Sequence, residues 1–454
     1  MKKVLRFSLV GLVLAVLIVG TSGLTLGTQP FRAMADAGYA PDRILVRFQP
    51  GVSASTMAAI HRANGAVVIR EIPQIGVQVL RVPANQVPAL VAAYSRNPNV
   101  LYAEPDYIAY VVGDPDDKHF SWQWGLDNDG QVYKYDKHGN PISGTEDADI
   151  DFPEAWDFLT DRAMAEIKIA ILDTGIDQDH EDLCPPVYPA SCKIVDNENF
   201  TDSPTVDDKY GHGTHVAGIA AAITNNKTGV AGVGYNSSLM NVKVLNDHGW
   251  GYVSGVIGGI LWAADEGAHV INMSLGSSWD SESLEGAVDK AWGMGVVVVA
   301  AAGNSNDNSP LYPAYYENCI AVAATDDDDA KASFSSYGDW VDVAAPGVDI
   351  FSTFPNHKYR IKKWRSLDYD YGSGTSMASP HVAGLAGLLF GQDPSRTNTH
   401  VRTLIERTAD EVGDIWSTYS IPRINACNAV AGTAAMGALI SLPASASSAL
   451  STGL

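Results

Sequence analysis

Residues 374–384 have the sequence GTSMASPHVAG, in which Ser376 follows small residues and leads directly into a predicted helix. Pro380 is expected in the first helical turn, where a missing N–H group costs nothing, and the apolar residues at 382, 385, 388 and 389 follow helical spacing. Ser376 would then lie at the positive end of the helix, which suits a nucleophile and a developing oxyanion. Taken alone, the stretch favours a simpler interpretation, in which Ser376 only caps a core helix.

The composition restricts the class of protein. The chain has 454 residues, of which 46% are apolar, so it can form one large domain with extra segments, or two to three domains. Its formal net charge of −22 disfavours nucleic acid and anionic membranes as partners. This charge suits a secreted protein and leaves carboxylates available for hard cations such as Ca²⁺.

The N-terminus has the pattern of a secretory signal peptide. Three basic residues among the first six precede an apolar run at 7–20. This run is shorter than the ~20 residues of a spanning helix, which disfavours a membrane anchor. We assign residues 1–35 to the signal peptide, with the sequence Ala-Met-Ala at 33–35 as a rather distant cleavage signal.

Residues 36–112 are predicted to form a small separate unit. Three segments alternate as strands do, and two helical patterns lie between them, the first with Ser53 or Ser55 as its cap. This order suggests an α+β sandwich, and a charged linker at 113–118 follows it. Any interaction module would fit, but the position after a signal peptide favours a removable pro-segment. The predicted strands are 43–48, 77–82 and 100–111, and the predicted helices are 53–62 and 85–95.

Residues 119–430 alternate buried apolar strands with helices. This pattern predicts an α/β fold with a mostly parallel sheet and helices on both faces. Functional sites in such folds lie beyond the carboxyl ends of the strands. Asp173 directly follows the predicted strand at 167–172, and Asn304 follows the one at 295–302.

Four polar residues from distant segments have the chemistry of acyl transfer. A serine nucleophile needs a base to take its proton and a carboxylate to orient that base. Ser376, His212 and Asp173 supply these groups, and Asn304 supplies an amide for an oxyanion. Each residue alone has an ordinary structural explanation. Zinc bound by His212 and His215 is disfavoured because no Glu or Cys lies at ligand spacing nearby.

The flanking residues make this combination specific. The motifs are AILDTGID at 170–177, GHGTHVAG at 211–218, AAGN at 301–304 and GTSMASPHVAG at 374–384. With them, the chain resembles subtilisin-type serine endopeptidases of the subtilase family, especially the thermitase-like branch. The resemblance implies that Asp173 orients the base His212, that Ser376 is the nucleophile and that Asn304 holds the oxyanion.

The resemblance also implies the domain organisation. It covers residues 119–430, so we expect a subtilisin-like peptidase domain at 113–430. Residues 36–112 resemble the family's inhibitory pro-segment, especially around 103–107, which implies a small ferredoxin-like α+β pro-domain. Residues 431–454, rich in Ala, Ser and Gly, are predicted to form a tail beyond the peptidase domain.

An extended peptide substrate would bind between two glycine-containing segments. These two segments resemble the ones that pair with the substrate backbone in the family. Pockets on alternate sides of the bound peptide then set the preference for substrate side chains. Leu311 would close the main specificity pocket, which predicts small to medium apolar residues before the cut. Ordinary glycine-rich loops are the alternative. The residues concerned are Gly249, Trp250 and Gly251 in the first segment and Ser274, Leu275 and Gly276 in the second.

The resemblance further implies a tight calcium site. Its ligands would be the Asp182 carboxylate, the Asn226 side chain and carbonyl oxygens of the same loop, with Asp117 completing the set. Oxygen ligands suit Ca²⁺, and a solvated aspartate beside a turn is the alternative. No organic cofactor is expected. The loop carbonyls belong to Thr224, Thr228 and Val230, and a second site among Asp202, Asp207 and Asp208 is a speculation from composition.

Two further features depart from the family pattern. Cys184 and Cys192 bracket a short insertion, and export would make a disulfide plausible, whereas Cys319 and Cys427 are predicted to be buried free thiols. Residues 356–370 predict a lengthened basic hairpin just before Ser376. A solvated surface loop is the simpler interpretation of this hairpin, and contact with acidic substrate residues is the alternative.

These expectations combine into one hypothesis. The chain would be a secreted, monomeric, calcium-stabilised serine endopeptidase of protein and peptide substrates, without nucleic acid or stable membrane association. It would be made as an inactive precursor that removes its own inhibitory pro-segment near residues 110–112. The alternative is a catalytically inert peptide-binding protein of the same fold, which would lack one of the four residues. An esterase with Gly-x-Ser-x-Gly is disfavoured because Ala378 occupies the last position.

Overall fold

The computed structural model describes residues 39–84, 86–107, 114–159, 164–187, 191–361, 366–412 and 419–432. The chain divides into two compact units, Met1–Ala109 and Tyr110–Leu454. The predicted signal peptide, the predicted processing segment at 110–112 and the tail beyond 432 lie outside the described residues. Within the described ranges, no helix has the length and apolar character needed to span a bilayer.

The first unit has a ferredoxin-like fold in its described part, as predicted. Its antiparallel strands follow the order β2-β3-β1-β4, and its elements follow the order β-α-β-β-α-β. Ser53 caps the first helix, since its side chain accepts a hydrogen bond from Thr56 N at 3.2 Å. Strand β2 was not predicted, because it is exposed and shows no apolar alternation. The elements are β1 (Tyr39–Phe48), α1 (Ala54–Ala63), β2 (Val67–Ile72), β3 (Val77–Arg81), α2 (Val87–Ser95) and β4 (Val100–Tyr107).

The second unit is built on a parallel sheet. Its described strands β7 to β13 follow the order β13-β12-β11-β10-β7-β9-β8, and every neighbouring pair is parallel. Two short hairpins, β5–β6 and β14–β15, lie outside it. The strands are β5 (Lys134–Tyr135), β6 (Pro141–Ile142), β7 (Ile167–Asp173), β8 (Ile194–Asn199), β9 (Ser237–Lys243), β10 (Val270–Met273), β11 (Val297–Ala301), β12 (Ile320–Thr325), β13 (Val343–Pro346), β14 (Ile350–Thr353) and β15 (Tyr369–Gly372), and the helices are α3 (Phe152–Leu159), α4 (His212–Ala221), α5 (Val253–Asp265), α6 (Glu282–Gly293), α7 (Thr375–Gln392) and α8 (Asn398–Arg407).

Helices cover both faces of this sheet, which confirms the predicted architecture. One apolar core joins the sheet to α3, α4, α7 and α8, and the other joins it to α5 and α6. The central strands β10, β11 and β12 are buried along their whole length, as expected for parallel strands covered on both sides. The edge strand β8 is only half-buried, and neither β8 nor α3 was predicted from the sequence.

Helix α7 differs from the predicted amphipathic helix. It is buried on all sides over most of its length, so the apolar stripe is not its only packed face. Pro380 is its sixth residue rather than part of its first turn. Because Pro380 has no N–H group, the Ser376 carbonyl lacks its usual helical partner and accepts instead from the Ser274 hydroxyl at 2.8 Å.

The cysteine prediction is confirmed in its main point. Cys184 and Cys192 form a disulfide, and Cys319 and Cys427 are free, although Cys427 is half-buried rather than buried.

The hairpin predicted at 356–370 has different bounds in the structure. Its pairing strands are β14 and β15, so residues 354–368 form the connection between them.

Candidate active site

Asp173 and His212 form a close pair at one edge of the sheet. Asp173 ends β7 and is fully buried, and His212 is the first residue of α4. The two Asp173 carboxylate oxygens lie 2.8 and 2.9 Å from His212 Nδ1. A buried carboxylate at this distance fixes the orientation of the imidazole and stabilises its protonated form.

The helix can approach the strand this closely because residue 213 is glycine. A side chain at Gly213 would collide with the Gly175 carbonyl oxygen and would crowd Asp173 itself. The Gly213 N–H donates to Thr174 Oγ1 at 2.9 Å, which ties the first turn of α4 to the end of β7. The sequence motif around His212 therefore supplies the imidazole and also the glycine that lets α4 pack closely against β7.

Asp208, which was suggested above as part of a second cation site, lies just before the start of the helix that carries His212. It is fully buried and accepts hydrogen bonds from the backbone N–H groups of Tyr210, Gly211 and Thr214, at 2.7 to 3.0 Å. It also accepts from the hydroxyls of Thr174 and Thr214, at 2.9 and 2.8 Å. The carboxylate thus satisfies the N–H groups at the start of α4 and holds the helix that carries His212. Its position three residues before a helix-starting glycine was the signal available in the sequence.

Ser376 is the second residue of α7, and its hydroxyl donates to the Ser274 carbonyl oxygen at 3.2 Å. Asn304 follows β11, and its side-chain oxygen accepts from Thr375 N at 2.9 Å and from Thr375 Oγ1 at 3.1 Å. These two bonds direct the Asn304 amide nitrogen away from Thr375. Ser376 and Asn304 line the same cavity, of about 470 Å³.

The predicted substrate segments meet at this site. All their residues, Gly249, Trp250, Gly251, Ser274, Leu275 and Gly276, line a second cavity of about 390 Å³ together with His212. The segment from Ser274 to Gly276 also lines the cavity of Ser376 and Asn304, so it runs between the two. Leu311 also lines the cavity of Ser376 and packs against Gly276.

The predicted calcium ligands lie together in a second region of the same unit. Asp117 and Asp182 are buried, and Asn226 Nδ2 and Val230 N each donate to Asp182 at 2.8 Å. The Asn225 N–H donates to Asp117 at 2.8 Å. Burial raises the pKa of Asp117 to about 6, with a smaller contribution from the neighbouring Asp116 carboxylate. Burial also raises the pKa of Asp182 well above its ordinary value, and the negative charge of Asp117 adds a smaller contribution.

This donor set fits a divalent cation, because buried carboxylates that repel each other are stabilised by a shared positive charge. One detail differs from the predicted ligand set. The Asn226 oxygen accepts from Thr228 N at 2.6 Å, so its amide must turn over to offer this oxygen to an ion. The Thr224 hydroxyl accepts from Gly232 N at 2.9 Å, which closes the loop on itself, whereas the predicted ligand is the Thr224 carbonyl oxygen.

The suggested second site at Asp202, Asp207 and Asp208 is wrong. The Asp208 carboxylate accepts hydrogen bonds from backbone N–H groups at the start of α4, and Asp202 is exposed. Within the described ranges, the group of three or more acidic, histidine or cysteine side chains close enough to hold one cation is Asp177, Asp207 and His357. Asp207 already pairs with the Lys209 ammonium there.

Comparisons with known proteins agree with this arrangement. A family model described as the subtilase family matches residues 165–434, and one described as the fervidolysin N-terminal prodomain matches residues 27–106. The chain is 40% identical over 393 residues to a thermophilic serine proteinase from Bacillus sp. (strain AK1), which covers 86% of this chain and 88% of the relative. It is 48% identical over 281 residues to thermitase from Thermoactinomyces vulgaris, which covers 62% of this chain and 93% of the relative.

A solved protease structure from Pseudoalteromonas arctica superposes with a TM-score of 0.57 at 30% identity, covering 70% of this chain and 99% of the other. Sequence and structure comparisons thus point to one class of enzyme. The chain therefore belongs to the subtilase family, and it is a serine endopeptidase made as a precursor with an N-terminal pro-segment.

Proposed function

We propose that Asp173, His212 and Ser376 form the catalytic triad of this endopeptidase. The observation that carries the proposal is the contact of the buried Asp173 carboxylate with His212 Nδ1 at 2.8 and 2.9 Å. This contact leaves the other ring nitrogen, Nε2, as the basic atom for the serine proton. Ser376 attacks the peptide carbonyl, His212 takes its proton, and His212 then protonates the leaving amine.

Asn304 and the Ser376 N–H hold the oxyanion in this proposal. The Asn304 side-chain oxygen accepts hydrogen bonds from Thr375, so the Asn304 amide nitrogen is the atom that donates to the oxyanion. Asn304 and Ser376 line the same cavity. Ser376 is at the start of a helix, where backbone N–H groups stabilise negative charge. Loss of one such donor costs about 10²- to 10³-fold in kcat.

The substrate lies as an extended strand between the segments at 249–251 and 274–276. Its residue before the cut enters the cavity that Leu311 narrows by packing against Gly276. We therefore expect small to medium apolar residues at this position. Digestion of a peptide library by the mature enzyme measures the preference, and efficient cleavage after Arg or Lys would contradict it.

The remaining parts of the chain serve export and activation. Residues 1–35 are a signal peptide, residues 36–112 fold separately and inhibit the enzyme, residues 113–430 are the peptidase domain and residues 431–454 are a tail. The ferredoxin-like first unit and the prodomain match support the role of the pro-segment. The secreted enzyme acts as a monomer, without nucleic acid or stable membrane association, and cuts itself near residues 110–112.

Ca²⁺ stabilises the peptidase domain in this proposal. The ion is held by Asp182, Asp117 and Asn226, together with carbonyl oxygens of Thr224, Thr228 and Val230. The burial of the two carboxylates and their mutual repulsion support this assignment. No organic cofactor takes part.

The Ser376→Ala precursor tests the catalytic proposal. We expect it to remain full length and to hydrolyse no peptide, because the nucleophile is absent. The control is Ser373→Ala, which removes an exposed hydroxyl three residues earlier and should mature normally. Normal maturation of Ser376→Ala without added protease would refute self-processing.

A further inference from the structure

The connection between β14 and β15 contains a described segment, residues 356–361, that packs beside the catalytic helix. The backbone N–H groups of Arg360 and Ile361 donate to the Tyr210 carbonyl oxygen at 3.2 and 2.8 Å. The Tyr359 ring stacks on Phe354 with centroids 5.3 Å apart and lies over Gly211, where a side chain would collide with it. The segment is therefore attached to the residues that directly precede His212.

The same segment also contacts the residue that precedes the substrate segment at 249–251. Arg360 Nη1 lies 2.9 and 3.0 Å from the two ring nitrogens of His248, so the guanidinium rests against the imidazole. A side chain at Gly249 would collide with the Tyr210 ring, which places this ring against the segment at 249–251. Tyr210, His248 and residues 359–361 thus form one continuous wall, which we name the cleft wall.

The cleft wall borders the cavity of His212. Ile361 and Tyr210 line this cavity with His212 and Leu245, whereas Leu311 and Ser376 line the other one. Successive side chains of an extended peptide point to opposite sides. When the residue before the cut occupies the cavity of Leu311, the residue preceding it faces the cavity of His212 and Ile361.

The carboxylates near the cleft wall are paired with lysines, whereas Arg360 has no carboxylate partner among the described residues. The carboxylate of Asp207 is paired with Lys209, and that of Asp247 with Lys243 at 3.1 Å. Within the described part of the chain, no carboxylate lies in ion-pair distance of Arg360. Arg360 is therefore an uncompensated positive charge at the rim of an apolar surface supplied by Ile361.

We propose that Arg360 and Ile361 determine specificity for the second substrate residue before the cut, and that they select a side chain with an aliphatic stem and a carboxylate end. Ile361 contacts the stem, and Arg360 attracts the carboxylate and repels an ammonium group. This inference rests on the proposed catalytic role of Ser376 and on the extended binding mode. It concerns residues in the connection that departs from the family pattern.

The test measures kcat/KM of the mature enzyme on peptides that differ only at this second position, with Glu, Lys, Leu or Ala. Exposed charge pairs of this kind predict a ratio of Glu to Lys of about 5-fold at low salt, which decreases as ionic strength rises. The ratio should fall to about 1 in Arg360→Ala and invert in Arg360→Glu. The preference for Leu over Ala should decrease in Ile361→Ser.

Lys358→Ala is the matched control, because it removes the same charge from an exposed position of the same segment and should keep the ratio. An equal Glu to Lys ratio in the parent enzyme and in Arg360→Ala would overturn the inference while leaving the catalytic proposal intact, provided that hydrolysis still requires Ser376. Hydrolysis that persists in Ser376→Ala would overturn both.

Discussion

Replacement of Asp208 by Asn should loosen the helix that carries the catalytic histidine. The Asp208 carboxylate accepts five hydrogen bonds, three of them from backbone N–H groups around the start of α4. An Asn side chain has nearly the same shape, but one of its two polar atoms is a donor. Whichever way the amide turns, at least one buried backbone N–H faces another donor.

The magnitude follows from these contacts. A buried N–H group without a partner costs about 1–3 kcal/mol. Loss of the negative charge at the helix N-terminus adds about 0.3–1 kcal/mol. The sum is about 1.3–4 kcal/mol, which lowers the Tm by roughly 2–6 °C for a domain of this size. Because His212 is the first residue of α4, even a small shift of the helix should lower kcat/KM by about 10- to 100-fold.

The assay compares Asp208→Asn with Asp202→Asn in the mature enzyme. Asp202 is exposed, so its amide should leave both Tm and kcat/KM at the parent values. Calorimetry gives the Tm, and hydrolysis of one good peptide substrate gives kcat/KM. Equal behaviour of the two variants would show that Asp208 does not hold the catalytic helix.

Three further predictions concern stability. Excess chelator should lower the Tm of the parent enzyme but not that of Asp182→Ala, because the ion stabilises only the folded state; an equal effect on both would exclude this site. Replacing Cys184 and Cys192 by Ser should lower the unfolding free energy by about 2.5 kcal/mol, since the bridge spans a separation of 8 residues, and denaturant titration measures the change. Burial lowers the pKa of His61, which lies 2.9 Å from Tyr94 Oη and 2.9 Å from Gln78 Oε1 in the first unit. Its neutral form is therefore favoured by folding, so the stabilisation is complete above pH about 6.5 and declines as the pH falls below it; hydrogen exchange of residues 39–107 in the Ser376→Ala precursor should show this decline, and His61→Leu should remove it.

The sequence predicted the parts of the fold that carry strong local patterns. Continuous apolar runs marked the buried strands of the parallel sheet, and the alternating segments marked the first unit. The strands β2 and β8 were missed because both are partly or wholly exposed, so neither has the apolar pattern of a buried strand. The position of Pro380 in α7 differed from the prediction, because Pro380 is tolerated inside a helix whose freed carbonyl has an outside partner.

The site residues likewise divide into those with a recognisable local motif and those whose role depends on the folded chain. Asp173, His212, Ser376 and Asn304 lie in motifs that are recognisable one at a time. The role of Asp208 depends on how the loop before α4 folds back on itself, and its position three residues before Gly211 is only a weak local signal of that role. The contact of Arg360 with His248 joins segments 112 residues apart and likewise needed the folded chain.

Labelling with a serine-directed phosphonate, followed by peptide mapping, addresses the cooperation of the three polar side chains most directly. We expect one modified residue, Ser376, and a labelling rate that falls by about 10³-fold or more in His212→Ala and in Asp173→Asn, because the hydroxyl is activated only through the oriented imidazole. Modification of a different serine, or a parent-like rate in His212→Ala, would contradict the account.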